Sequence, residues 1–232
     1  MSRIAATLIP IALLVLFLAA PAAQAQEPVP DKPSIADLGD GRYQIGAIVV
    51  DKTQGRFTVP GRMLELSRPE DPLEFVAVAR HGQKAYESLF EVDATAFEFN
   101  LACILIGLEN RQPDNPDFHF DPKPVPGDPV TIRLSWTLDG TETALSPERL
   151  LLEGGFEPPP GTWVYTGSRF DEQGTYTAHQ FGTLIGFVHD MDSVIQHRAG
   201  LGLGDYGAIT TNTFLAPPPG TPITVTVSKG GD

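Results

Sequence analysis

LEFVAVARHGQKAYESLFEVDATAFEFNLACILIGL, running from Leu73 to Leu108, is the stretch whose reading decides the fold. Leu73 to Arg80 is apolar and β-branched enough for a strand, and Arg80-His81-Gly82-Gln83 supplies a turn in which Gly82 can take a positive φ. A return strand follows. In it Tyr86, Ser88, Phe90 and Val92 fall on one face, with Glu87, Leu89 and Glu91 on the other, because side chains alternate with period 2. Asp93 then stands where a helix cap belongs. Phe97, Leu101, Ile104, Leu105 and Leu108 repeat at helical spacing, and Phe99, Ala102, Cys103 and Ile106 fill much of the opposite side, so the helix reads as buried all round. Gly107 closes it.

Working outward, the N-terminus carries Arg3, an apolar run from Ile4 to Leu18, and Ala23-Gln24-Ala25 before Gln26. That is the pattern of a cleaved signal peptide over residues 1–25, and it predicts a periplasmic or secreted protein with no membrane span after cleavage. Residues 26–41 hold Pro28, Pro30 and Pro33 and read as a flexible lead-in, ahead of a single domain over 42–232. The formal net charge is −13. Cleavage removes one basic residue and no acidic one, taking it to −14, a surface that repels nucleic acid and anionic lipid. Cys103 is the one cysteine, so no internal disulfide forms and stability rests on the core.

Tyr43 to Val50 reads as the first strand, Arg56 to Val59 as the second, and Pro60-Gly61 as a turn into Arg62 to Leu66. Residues 109–129, rich in Pro, form a long loop. Val130 to Leu138 is the cleanest strand, with Val130, Ile132, Leu134, Trp136 and Leu138 inward, and Asp139-Gly140 turns it into a hairpin. Ser146-Pro147 opens a short helix. Further strands are expected at Thr162 to Ser168, Thr175 to Gln180, Thr183 to Val188, near Thr210 to Leu215, and at Pro222 to Ser228, and Asp192 can cap another short helix. The fold class is therefore α+β: a mainly antiparallel sheet with one buried central helix and one or two short helices.

No P-loop, G-x-G-x-x-G, H-E-x-x-H, G-x-S-x-G or C-x-x-C motif occurs, and no cofactor is implied. Cys103, on an apolar helix, reads as a small buried hydrophobe. In Asp117-Phe118-His119-Phe120-Asp121 an extended backbone puts Asp117, His119 and Asp121 on one face, a candidate metal set; the alternative is an acidic loop with Phe118 and Phe120 docked on the body. His189-Asp190-Met191-Asp192, after a strand, is a second Asp/His grouping. Trp163 and Tyr165 share a face of a strand running to Ser168, either a ligand platform or core packing.

The chain resembles the YdjY domain family of bacterial exported proteins. The resemblance rests on Leu73-Glu74-Phe75, Tyr86-Glu87-Ser88, a helix ending Ile106-Gly107, a strand ending in Trp136, Trp163-Val164-Tyr165-Thr166-Gly167-Ser168, and Gly220-Thr221-Pro222-Ile223-Thr224-Val225. It implies a family without an established activity. Where relatives often have His before Glu-Ser, this chain has Tyr86, so a His-Glu pair is absent there; a ferredoxin-like role is out of reach with one cysteine. The binding candidates are Tyr86, Glu87, Ser88, Trp163, Tyr165 and Ser168. The expected function is a non-enzymatic binding or structural module with an unidentified envelope protein or ligand as partner. Its rival is a hydrolase or metal-assisted enzyme with an unrecognised Glu/Ser/His/Asp site.

Overall fold

Val130, Ile132, Leu134 and Trp136 are buried while Thr131, Arg133 and Thr137 are exposed, so the period-2 reading of this strand holds as far as Trp136; Leu138, at 42% exposed, lies past the core. The computed structural model describes residues 33–66, 68, 70–109, 116–204 and 206–230. The expected signal peptide lies outside them. The strands are β1 (Ile35–Gly39), β2 (Arg42–Ile45), β3 (Ile48–Asp51), β4 (Arg56–Met63), β5 (Phe75–Val78), β6 (Ser88–Val92), β7 (Asp128–Leu138), β8 (Thr141–Leu145), β9 (Leu151–Glu153), β10 (Trp163–Tyr165), β11 (Thr183–Gly186), β12 (Ile195–His197), β13 (Ile209–Thr211) and β14 (Pro222–Lys229). The helices are α1 (Ala96–Leu105) and α2 (Thr177–Phe181).

Eight strands close into a barrel in the order β4-β14-β7-β10-β12-β11-β5-β6 and back to β4. The expected antiparallel sheet is thus corrected to a closed, mostly β architecture in which β11–β12 and β5–β6 are parallel. Closure removes the free edges of an open sheet. It turns on Pro60-Gly61, which does not make a turn but sits within β4. One edge of β4 pairs with β14 at residues 56–62, and the other pairs with β3 at residues 56–58 and with β6 at residues 61–63. Proline, lacking an N–H, falls where that edge changes partner. A Cβ on Gly61 would lie 2.5 Å from the Glu91 carbonyl oxygen, so only glycine lets β6 approach.

The central hairpin is also corrected. β5 and β6 run parallel, because residues 79–87 cross over instead of turning back: Ala79 N–H donates to the Gly182 carbonyl and Gln83 N–H to that of Phe181. His81, and not Gly82, takes the positive φ, at 60°. Before the barrel, β1, β2 and β3 form a meander, so part of the expected lead-in is a strand, and the expected strand over Tyr43 to Val50 folds in two at Gly46. The Asp139-Gly140 hairpin joins β7 to β8 with both residues at positive φ, as a type I′ turn requires.

The cap of α1 is Thr95, not Asp93: its hydroxyl accepts from Glu98 N–H while the Glu98 carboxylate accepts from Thr95 N–H. The helix buries Ala96, Phe99, Ala102 and Cys103, with Phe99 edge-on to Phe57 at 5.2 Å, whereas Ile104 is exposed, so one face and not the whole circumference is covered. Most of the strand expected over Thr175 to Gln180 is instead taken up by α2, Thr177–Phe181, ended by Gly182 in the left-handed conformation. Ser168 Oγ accepts from Ala178 N–H, and Thr177 Oγ1 donates to the Arg169 carbonyl, tertiary bonds that override the β preference of Thr-Tyr-Thr. No helix starts at Asp192, whose carboxylate instead receives Arg169 Nε at 3.0 Å before β12.

Candidate functional site

The parallel pairing of β5 and β6 sets their first residues side by side. Glu74, just before β5, donates its N–H to the carbonyl of Glu87, just before β6, at 3.0 Å. Both carboxylates are buried, each residue at 3% exposure. Tyr86 and Glu87 belong to a 3-10 turn, Ala85–Glu87, so the expected strand alternation does not apply: Tyr86 is exposed while Glu87 and Ser88 are both buried. The turn brings Lys84 Nζ to 2.6 Å from Glu87 Oε1 and 3.3 Å from the Tyr86 hydroxyl, and Ser88 Oγ donates to the Lys84 carbonyl at 2.6 Å. Glu87 is therefore ion-paired.

A second arm comes from residues 116–121. Phe120 takes a φ of 65° and donates its N–H to the His189 carbonyl, which folds this stretch into a turn. The turn points His119 at Glu74, with Nε2 3.1 Å from Oε2, and leaves Nδ1 4.0 Å from Asp190 Oδ1. Asp121 accepts instead from the backbone N–H groups of Lys123 and Asp117. The turn therefore does not present Asp117, His119 and Asp121 to a shared centre; among the described residues no group of three or more His, Cys, Asp or Glu is placed to hold a metal ion. Phe120 packs on the body, but Phe118 is exposed. His189, wholly buried, faces the Asp121 carbonyl through Nδ1 and the His197 and Arg198 carbonyls through Nε2, tying the turn to β12.

The charges follow from these contacts. The hydrogen bond from Glu74 raises the His119 pKa, against partial burial, with the Glu74 and Asp190 charges adding to it. Burial works to lower the Lys84 pKa, but the hydrogen bond and charge of Glu87 outweigh it and raise it strongly. Burial raises Asp190, with Asp192 adding, and Ser193 Oγ donates to its other oxygen at 2.9 Å. Tyr206, exposed like Tyr86, stands edge-on to Phe120 at 6.4 Å, and Phe120 in turn lies 4.4 Å from the His119 ring, so Tyr206 sits beside the same cluster; desolvation and then the Glu87 and Glu74 charges raise its pKa. Asp121 is lowered by the Lys123 and Asp117 N–H groups. The cluster is thus three buried carboxylates, two half-covered cations and two exposed tyrosines.

All of these residues fall within a region that matches one known family: the YdjY domain, over residues 48–228. The chain belongs to the YdjY domain family. The match begins at the first residue of β3 and ends within β14, so it spans every strand of the barrel and leaves out β1 and β2. No curated protein and no solved structure matches the chain.

Within this YdjY domain, Trp163, Tyr165 and Ser168 are not a surface platform. They are buried: Trp163 Nε1 donates to Glu148 Oε1 and the Tyr165 hydroxyl to Asn100 Oδ1, each at 2.8 Å, while Ser168 Oγ donates to the Asp192 carbonyl at 2.6 Å. The domain also has surface cavities of about 350 and 300 Å³, neither lined by the charged cluster. In the larger, Arg149 and Asn212 are taken up by Glu157 and by the Arg149 carbonyl, and Phe156 and Phe214 stand exposed around them. Sequence reasoning singled out Glu87, His119 and Asp190 separately but missed Lys84 and Tyr206. The one available signal was Glu74, a carboxylate opening an otherwise apolar strand.

Proposed function

We propose that this YdjY domain is an exported, non-enzymatic binding module of the cell envelope, and that the surface over Glu74, Lys84, Glu87, His119 and Asp190 is where it binds. The observation that carries the reading is that the groups which could run acid, base or nucleophilic chemistry are already committed. His119 is hydrogen-bonded through Nε2 to Glu74, with Asp190 on its other side, and the Glu74 bond raises its pKa, so the ring is engaged by the protein's own carboxylates. Lys84 is locked as an ammonium on Glu87. Ser88 gives its proton to a carbonyl, and Cys103 is wholly buried with its thiol pushed up by desolvation, so neither is an activated nucleophile. Fixed, paired charges beside exposed aromatic rings suit recognition.

The adjacent Glu74 and Glu87 are the observation that favours the rival, a hydrolase. The experiment assays the purified chain against chromogenic esters, phosphates and glycosides, alongside Glu74→Gln and Glu87→Gln. The expected result is no turnover above the variants. Turnover abolished by either substitution would replace the module with an enzyme.

A further inference from the structure

We infer that the Glu74–Glu87 site takes a neutral saccharide. This rests on the binding-module reading and adds the chemical class of the ligand. The argument begins with unused hydrogen-bonding capacity. Glu74 spends Oε2 on His119, and Glu87 spends Oε1 on Lys84; the second oxygen of each has no donor among the described residues. On the donor side, Lys84 Nζ uses two of its three protons, on Glu87 and the Tyr86 hydroxyl. His119 Nδ1 is 4.0 Å from Asp190, beyond hydrogen-bond range, so that ring nitrogen is open to a hydroxyl as donor or acceptor. Acceptors from two buried carboxylates thus stand next to donors from two partly exposed cations. A sugar hydroxyl donates and accepts at once, so vicinal hydroxyls fit such a row of mixed groups.

The rim supplies the second requirement. Tyr86 and Tyr206 are each 64% exposed; the Tyr86 hydroxyl is 3.3 Å from Lys84 Nζ, and Tyr206 reaches the His119 side through Phe120, whose ring lies 6.4 Å from Tyr206 and 4.4 Å from His119. A tyrosine ring has an apolar face and a polar tip, suited to lie on the C–H face of a pyranose while its hydroxyl reaches the ring oxygens. Charge then narrows the class. The cluster sets two cations against three carboxylates, on a chain of net charge −13, so an anion is repelled. A ligand cation would have to displace Lys84, whose ammonium already occupies the space between Glu87 and the Phe75 and Tyr86 rings, 6.0 and 5.6 Å from their centroids. A neutral, hydroxyl-rich molecule is what remains.

The test places the labelled chain lacking residues 1–25 on an array carrying neutral and acidic oligosaccharides, followed by calorimetric titration of the strongest neutral glycan. Tyr86→Ala and Tyr206→Ala, both at exposed positions, are checked for folding by circular dichroism and are expected to weaken binding at least tenfold each. Glu74→Gln should do the same, and affinity should change little between low and high salt. Neutral glycans bound no better by the wild type than by the Tyr86→Ala/Tyr206→Ala double variant would overturn the inference, as would binding confined to acidic glycans. Saturable binding to an envelope protein with a silent array would sink the saccharide and keep the module. Cleavage of a bound neutral glycan would do the reverse.

Discussion

At the residue scale the molecule depends on two ion pairs, each with one buried end. Replacing Lys84 by Met leaves Glu87 buried and unpaired, and the expected loss is about 2–4 kcal/mol in urea unfolding; adding Glu87→Gln should restore most of it, which a double-mutant cycle measures. His119 makes a pH-dependent contribution. Its pKa is raised in the folded state, so the stabilisation is complete below the unfolded value of about 6.5 and is lost as pH climbs through the higher folded value. Because the imidazole is 39% exposed, solvent screening holds this to about 1 kcal/mol or less. Thermal unfolding of the wild type should therefore lose stability relative to His119→Gln as pH rises above about 6.5; parallel curves would mean that the pair contributes nothing. The residues of this site were individually visible in the sequence but not as a set. Glu74 and Asp190 are more than a hundred positions apart, and a lone Lys84 on a loop carries no sign of what lies beneath it.

At the element scale, legibility followed periodicity. β7 and its Asp139-Gly140 turn were readable because alternation and turn chemistry are local. The parallel β5–β6 pair was not, since its direction depends on carbonyls of Phe181 and Gly182, a hundred residues downstream. α2 was hidden for the same reason: a strand-like sequence is held helical by Ser168 and Arg169. Trp136, buried on β7, should cost about 3–5 kcal/mol on replacement by Ala. Gly61→Ala should be severe for its size, more than about 2 kcal/mol, because a methyl there meets backbone and not a movable side chain. Urea denaturation of the two variants checks both, and a loss under about 1 kcal/mol for Trp136→Ala would mean that its strand packs elsewhere.

For the whole molecule, the sequence indicated a β-rich domain with a core adequate to its size, and it pointed to export. Mass spectrometry of the protein recovered outside the cytoplasm should find Gln26 at the N-terminus; recovery only of an uncleaved, membrane-bound form would refute that reading. Barrel closure was not legible, because it is made by β4 meeting β6 on one edge and β14 on the other, contacts distant in sequence.

The place of β14 has a consequence for the timing of folding. It lies between β4 and β7, so the seven barrel strands that precede it in the chain are left with a slot until residues 222–229 arrive. Such long-range pairing makes barrel formation slow. Ribosome-stalled or truncated chains ending before Pro222 should be digested rapidly by protease, and resistance should appear abruptly once Lys229 is available, not in steps. A polypeptide of this design stays threadable until β14 is delivered, so the last strand, and not the core laid down before it, sets the moment at which the chain locks.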